Sequence, residues 1–151
     1  MIKTHQALFG TLLAGCAVFA MAADTAGMVK TSSGDVTIER SGKRILGMVG
    51  TEVLVADKVR TGENGAVGVT LRDSTLLSAG PSSSIVVNKF AYDSTSQAGN
   101  MSIGVRKGTL AVATGKIAKT TPESIDFHTP TSVLGVRGTE FVIEVGEGVD
   151  D

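Results

Sequence analysis

Tryptophan is absent from this 151-residue chain, cysteine occurs once, histidine twice and proline three times. One cysteine and two histidines cannot build a zinc or iron–sulfur centre within a single chain. No cofactor is expected. So few prolines, and no three-residue period, exclude a collagen-like or low-complexity origin for the 19 glycines, a content well above the ~7% usual in globular proteins. Frequent turns account for them instead. Neither sign of charge prevails, with 14 Lys and Arg against 15 Asp and Glu. No segment gathers the basic side chains, and a nucleic-acid partner is not expected. Aromatic residues make up only 4% of the chain. The length suits one domain with a thin, largely aliphatic core.

The longest apolar stretch, residues 7–21, is interrupted only by Thr11 and Cys16. It falls short of the ~20 residues that cross a bilayer as a permanent helix. A short polar start with Lys3 precedes it, and Ala20-Met21-Ala22-Ala23 closes it with small residues. This profile predicts a signal peptide over residues 1–22, cleaved between Ala22 and Ala23. The same stretch holds Leu13-Ala14-Gly15-Cys16, a lipobox-like sequence that would anchor the chain through Cys16. Cleavage at Ala22 is preferred, because apolar residues continue past Cys16 whereas a lipobox usually ends the run. By either route the chain leaves the cytoplasm for the periplasm, and it meets the membrane only if Cys16 is lipidated. Cleavage after Ala22 removes the sole cysteine, so packing must hold the mature chain without a disulfide.

What remains alternates. Val36/Ile38, Val53/Val55, Val67/Val69/Leu71, Met101/Ile103/Val105, Leu110/Val112, Ile125/Phe127 and Phe141/Ile143/Val145 each step by two, the period of a half-buried strand. Turn-forming clusters separate them: Ser33-Gly34-Asp35, Ser41-Gly42-Lys43, Gly62-Glu63-Asn64-Gly65, Gly80-Pro81-Ser82-Ser83, residues 95–100, Gly115-Lys116 and Thr129-Pro130. No stretch sustains a helical period. The pattern predicts an all-β domain, solenoid-like or sandwich-like, made of a stack of short strands. Asn64-Gly65 predicts a two-residue hairpin turn. Gly68 and Gly104, placed within strands, mark bulges or close backbone approaches.

Three segments carry a family resemblance. Residues 50–67, GTEVLVADKVRTGENGAV, follow the pattern G..L..GD.I.TG.NG.A. Leu71-Arg72-Asp73-Ser74-Thr75-Leu76 follows L.DGS.L, with Ser74 in place of the usual glycine. Thr129-Pro130 and then Gly135-Val136-Arg137-Gly138-Thr139-Glu140-Phe141 match TP....GVRGTEF, the most specific of the three. Over residues 34–145 the chain resembles the FecR domain family. The resemblance implies a β-rich extracytoplasmic sensing or interaction module. In founding members it lies on the periplasmic side of an inner-membrane protein whose cytoplasmic segment binds a sigma factor. Only six residues precede the apolar run here, so direct sigma-factor binding is not expected. Residues 146–151, with Glu147, Asp150 and Asp151, are expected to form an acidic flexible tail.

The chemistry-bearing residues are few. Arg137 can fork onto a carboxylate, with Glu140 or Asp126 as donors of that carboxylate, and so lock the last strands together. Left free, it would grip an anionic group of a partner. Asp126 and His128, two apart on a strand, share one face and resemble half of a hydrolase triad. No nucleophile elbow completes it: Gly80-Pro81-Ser82-Ser83-Ser84 lacks the final glycine, and Pro81 does not suit that turn. Gly62-x-x-Gly65-x-x-Gly68 lacks the Lys-Ser/Thr of a phosphate loop. The expectation is a non-enzymatic module that docks another envelope protein through a sheet edge, Arg137 with Thr139 and Glu140, or the polar loop 93–100. The alternative is a module that binds cell-wall or other envelope glycan, with a lipid anchor at Cys16 as its tether and Phe90 and Tyr92 as its adjacent aromatic candidates for stacking.

Overall fold

A computed structural model describes residues 24–147. The expected signal peptide, the Ala22/Ala23 junction, Cys16 and residues 148–151 of the expected tail lie outside the described residues. Within them the chain forms β1 (Thr25–Ser33), β2 (Val36–Arg40), β3 (Lys43–Leu46), β4 (Glu52–Leu54), β5 (Lys58–Thr61), β6 (Ala66–Leu71), β7 (Leu76–Ala79), β8 (Ser84–Tyr92) and β9 (Gly99–Ala113). A five-residue helix, α1 (Lys116–Thr120), and a 3-10 turn (Pro122–Ser124) follow. The chain then closes with β10 (Ile125–His128), β11 (Val133–Gly135) and β12 (Glu140–Val145). The fold is all-β. β1 lies ahead of the 34–145 span and pairs with both β4 and β6, so among the described residues the sheet includes Thr25–Ser33.

All twelve strands belong to one sheet, ordered β3-β2-β5-β8-β9-β7-β6-β1-β4, with β10 and β12 attached beside β9 and β11 beside β10. The first part of β9 pairs antiparallel with β8 and parallel with β10, and the second part pairs antiparallel with β7 and β12. The sheet therefore curls into two leaves that share one long strand. Val29, Val69, Leu77 and Leu110 from one leaf and Ile38, Ile85, Ile103 and Phe127 from the other form a single buried cluster. This is the sandwich-like form of the expected fold. Each such side chain removed from water contributes roughly 1.5–3 kcal/mol.

The strand that turns the corner does so at Gly108, where φ is +83°. A Cβ there would lie 2.5 Å from Ser83 Cα. Alternation alone divides Met101/Ile103/Val105 from Leu110/Val112 into two strands; the structure joins them, because a left-handed glycine bends the ladder without ending it. The glycines expected to mark irregularities do so. Gly68 lies opposite Thr31 beside a register shift in β1, and Gly104 lies next to a shift in β8.

Turn chemistry differs at one site from its expectation. Ser41 and Gly42 have φ of 49° and 77°, as a two-residue hairpin between β2 and β3 requires. Asn64 and Gly65 do not adopt positive φ; Gly65 N–H donates to Gly62 C=O in an ordinary turn. Gly65 is needed there because a side chain would strike the Asp35 carbonyl.

Two motif positions are strained. Ala56 and Ser74 take φ of 75° and 71°, where the motifs GD and DGS carry glycine. A non-glycine residue in this region costs roughly 1–2 kcal/mol. Part of that returns as lost backbone entropy when glycine replaces it. Ala56→Gly and Ser74→Gly are each expected to raise stability by about 0.5–1 kcal/mol in urea unfolding. An unchanged or lowered midpoint would show that these backbones are not under strain.

Both strained residues neighbour a buried carboxylate. Asp57 accepts from Arg40 Nε at 2.9 Å, Arg40 Nη2 at 2.7 Å and Leu54 N–H at 2.8 Å. These bonds raise the Arg40 pKa above its ordinary value, while partial burial opposes the rise. A folded-state pKa raised above the unfolded one stabilises fully at every pH below the ordinary arginine range and fades only above it. The clasp is thus constant across neutral pH as far as the arginine is concerned. Asp73, fully buried, receives Thr75 N–H, Thr75 Oγ1 and, across the turn, Ile117 N–H. Its carbonyl accepts Lys116 N–H. Asp73 therefore fixes the start of α1, a helix too short to leave a period in the sequence.

Candidate functional surfaces

The motif Gly135-Val136-Arg137-Gly138-Thr139-Glu140-Phe141 passes from β11, at the rim of one leaf, to β12, at the rim of the other. Val136 is buried, and the Phe141 ring meets Phe127 edge-on at 5.1 Å. Thr139 C=O accepts Thr114 N–H at 2.8 Å, which ties the motif to the end of β9. These anchors leave Arg137 and Glu140 exposed. Arg137 makes no hydrogen bond or ion pair among the described residues. The expected lock of Arg137 onto Glu140 or Asp126 is not formed: Asp126 is engaged elsewhere, and Arg137 lines an open groove of about 750 Å³ with Pro122, Glu123 and Ile125.

β11 stands at the end of its leaf and, among the described strands, pairs only with β10. Val133 and Leu134 are exposed there, Val133 at 66%. The other rims are guarded by charge. Lys43 and Arg44 lie on β3, Glu52 on β4, and Glu140 and Glu144 on β12. Charged side chains of this kind discourage a further strand from pairing. β11 carries none.

Asp126 and His128 share the outward face of β10, as their spacing predicts. His128 Nε2 lies 2.6 Å from Asp126 Oδ1, and Ser102 Oγ donates to the same oxygen at 2.6 Å. The order is wrong for nucleophile activation. In a catalytic triad the imidazole stands between hydroxyl and carboxylate; here the carboxylate stands between the other two. Ser102 is 6% exposed, and no motif in the sequence marks it. Only its cross-strand register with Asp126 brings it into the cluster.

Phe90 is buried beneath the Arg72 guanidinium, 5.3 Å from its centroid, and Tyr92 packs partly against the core. They do not form an open platform for sugar stacking. Asp93 Oδ1 accepts Thr95 N–H and Ser96 N–H, so loop 93–100 is braced from within. Among the described residues no group of three or more His, Cys, Asp or Glu could hold a metal, and no helix is long and apolar enough to cross a membrane.

These features define a curled all-β domain whose reactive side chains lie on open sheet faces and along one rim. A family model described as "FecR protein" matches residues 57–150, and the chain belongs to the FecR family. Comparisons with curated proteins and with solved structures gave no match.

Proposed function

We propose that the chain is a non-enzymatic sensing or protein-interaction module of the bacterial envelope, working in the periplasm after signal-peptide cleavage. One observation carries the reading: the only uncharged rim of the described sheet, β11, lies next to Arg137, a cation with no partner among the described residues. An extended partner segment adds to such a rim through backbone hydrogen bonds. Val133 and Leu134 supply apolar contact, and Arg137 selects an acidic residue at the end of the added strand. Family membership supports a regulatory rather than a catalytic role. The Ser102–Asp126–His128 order argues against hydrolysis. Export is supported by the profile of residues 1–22.

The test is site-specific photo-crosslinking in cells, with the cross-linking residue placed at Val133 and, as a control, at Glu63 on an exposed turn. A single adduct of defined mass from Val133, lost in Arg137→Glu and absent from Glu63, is expected in the periplasmic fraction. The mature protein there should begin at Ala23 by mass spectrometry. Equal labelling from both positions would refute the rim as the docking site, and recovery of the precursor from the cytosol would refute the location.

A further inference from the structure

The outer face of the leaf formed by β8, β9 and β10 holds a second feature, separate from the β11 rim. The β8–β9 ladder is irregular twice. Asn88 is unpaired between Val87 and Lys89, and Arg106 is unpaired between Val105 and Lys107. Such bulges re-aim side chains. Here they turn Asn88, Lys89 and Arg106 into one groove of about 610 Å³, bordered on its far side by Asp126 and His128. That volume falls in the range of small-molecule sites.

Gly104 makes room for the donors. A Cβ on it would lie 3.1 Å from the Asn88 amide nitrogen and 3.9 Å from Arg106 Nε, so both side chains converge over bare backbone. Lys89 and Arg106 make no hydrogen bond or ion pair among the described residues. A guanidinium fork beside an ammonium suits a phosphate oxyanion. The opposite wall has the complementary character. Asp126 Oδ1 already receives Ser102 and His128, while Oδ2 accepts nothing from a described residue. That oxygen is available to a hydroxyl group.

We propose that this groove binds a hydroxylated phosphate ester, with the phosphate on Arg106 and Lys89 and a hydroxyl donating to Asp126. Sugar phosphates and glycerol phosphates share this chemistry, the latter free or as a lipid headgroup.

Calorimetric or NMR titration of the mature chain with glycerol 3-phosphate is the first arm. Binding is expected, with shifts at Lys89, Gly104, Arg106 and His128. Arg106→Gln should weaken it about tenfold or more, since a charge-assisted bidentate contact is removed. Asp126→Asn should weaken glycerol 3-phosphate while leaving inorganic phosphate unchanged, an effect that general loss of structure would not produce. Sedimentation with phosphatidylglycerol vesicles is the second arm. Protein that stays in the supernatant while binding glycerol 3-phosphate identifies a soluble ligand; protein pulled down in an Arg106-dependent manner identifies a headgroup. No response to either probe, or binding that survives Lys89→Gln with Arg106→Gln, overturns the proposal. Crosslinking from Val133 should be indifferent to Arg106→Gln, so the groove and the rim fail separately.

Discussion

Asp73→Ala is expected to cost about 3–5 kcal/mol, because three buried donors lose their acceptor at once and each unsatisfied group costs ~1–3 kcal/mol. The donors are Thr75 N–H, Thr75 Oγ1 and Ile117 N–H. Their loss also undoes the fold of the segment that follows β9. Thr75 Oγ1 accepts Gly115 N–H at 3.0 Å, and a side chain on Gly115 would lie 2.5 Å from Thr75 N. The turn after Leu71 and the start of α1 are thus a single hydrogen-bonded unit. Asp73→Asn keeps the shape and one acceptor oxygen, and should cost about half as much. Urea unfolding followed by circular dichroism measures both. Equal losses for Ala and Asn would mean that the charge, not the acceptor geometry, matters. A loss below about 1 kcal/mol for Ala would mean that water satisfies these donors.

Gly108→Ala should be of similar size, for two separable reasons. The left-handed backbone costs an alanine roughly 1–2 kcal/mol. The new methyl group also overlaps Ser83, whose Cα would be 2.5 Å away, and forced overlap in a packed site adds ~1–3 kcal/mol. Gly42 supplies the control. Its φ is +77° and nothing lies within 4 Å of its absent Cβ. Gly42→Ala should therefore pay the conformational cost alone, about 1 kcal/mol. The difference between the two variants measures the packing at the bend. If they match, Ser83 moves aside freely and β9 is not held there by contact.

Much of this fold is legible in the sequence because the buried faces alternate along most strands, with breaks at the shifts in β1 and β8. Met101, Ile103 and Val105 point inward while Ser102 and Arg106 line the outer groove, and Ile125 and Phe127 do the same opposite Asp126 and His128. A period of two carries all of that. It does not carry pairing. Nothing in the order of residues says that β10 runs parallel to β9, or that Ser102 therefore meets Asp126, since register is decided by which strands come together. The left-handed glycine at 108 hides in a strand-like run because glycine is silent about the sign of φ. Arg137 was recognisable as important from its flanking glycines, yet whether it pairs depends on where Glu140 and Asp126 point. Asn88 and Arg106 gave no warning, because a bulge is a mismatch between two strands and neither sequence shows it alone.

The shared strand has a mechanical consequence. The 15 residues of β9 are stitched to β8 and β10 at one end and to β7 and β12 at the other, so neither leaf can peel away and leave its companion complete. Heating should accordingly produce one calorimetric peak with no shoulder, and the slowest amide protons of both leaves should exchange with deuterium at a common rate.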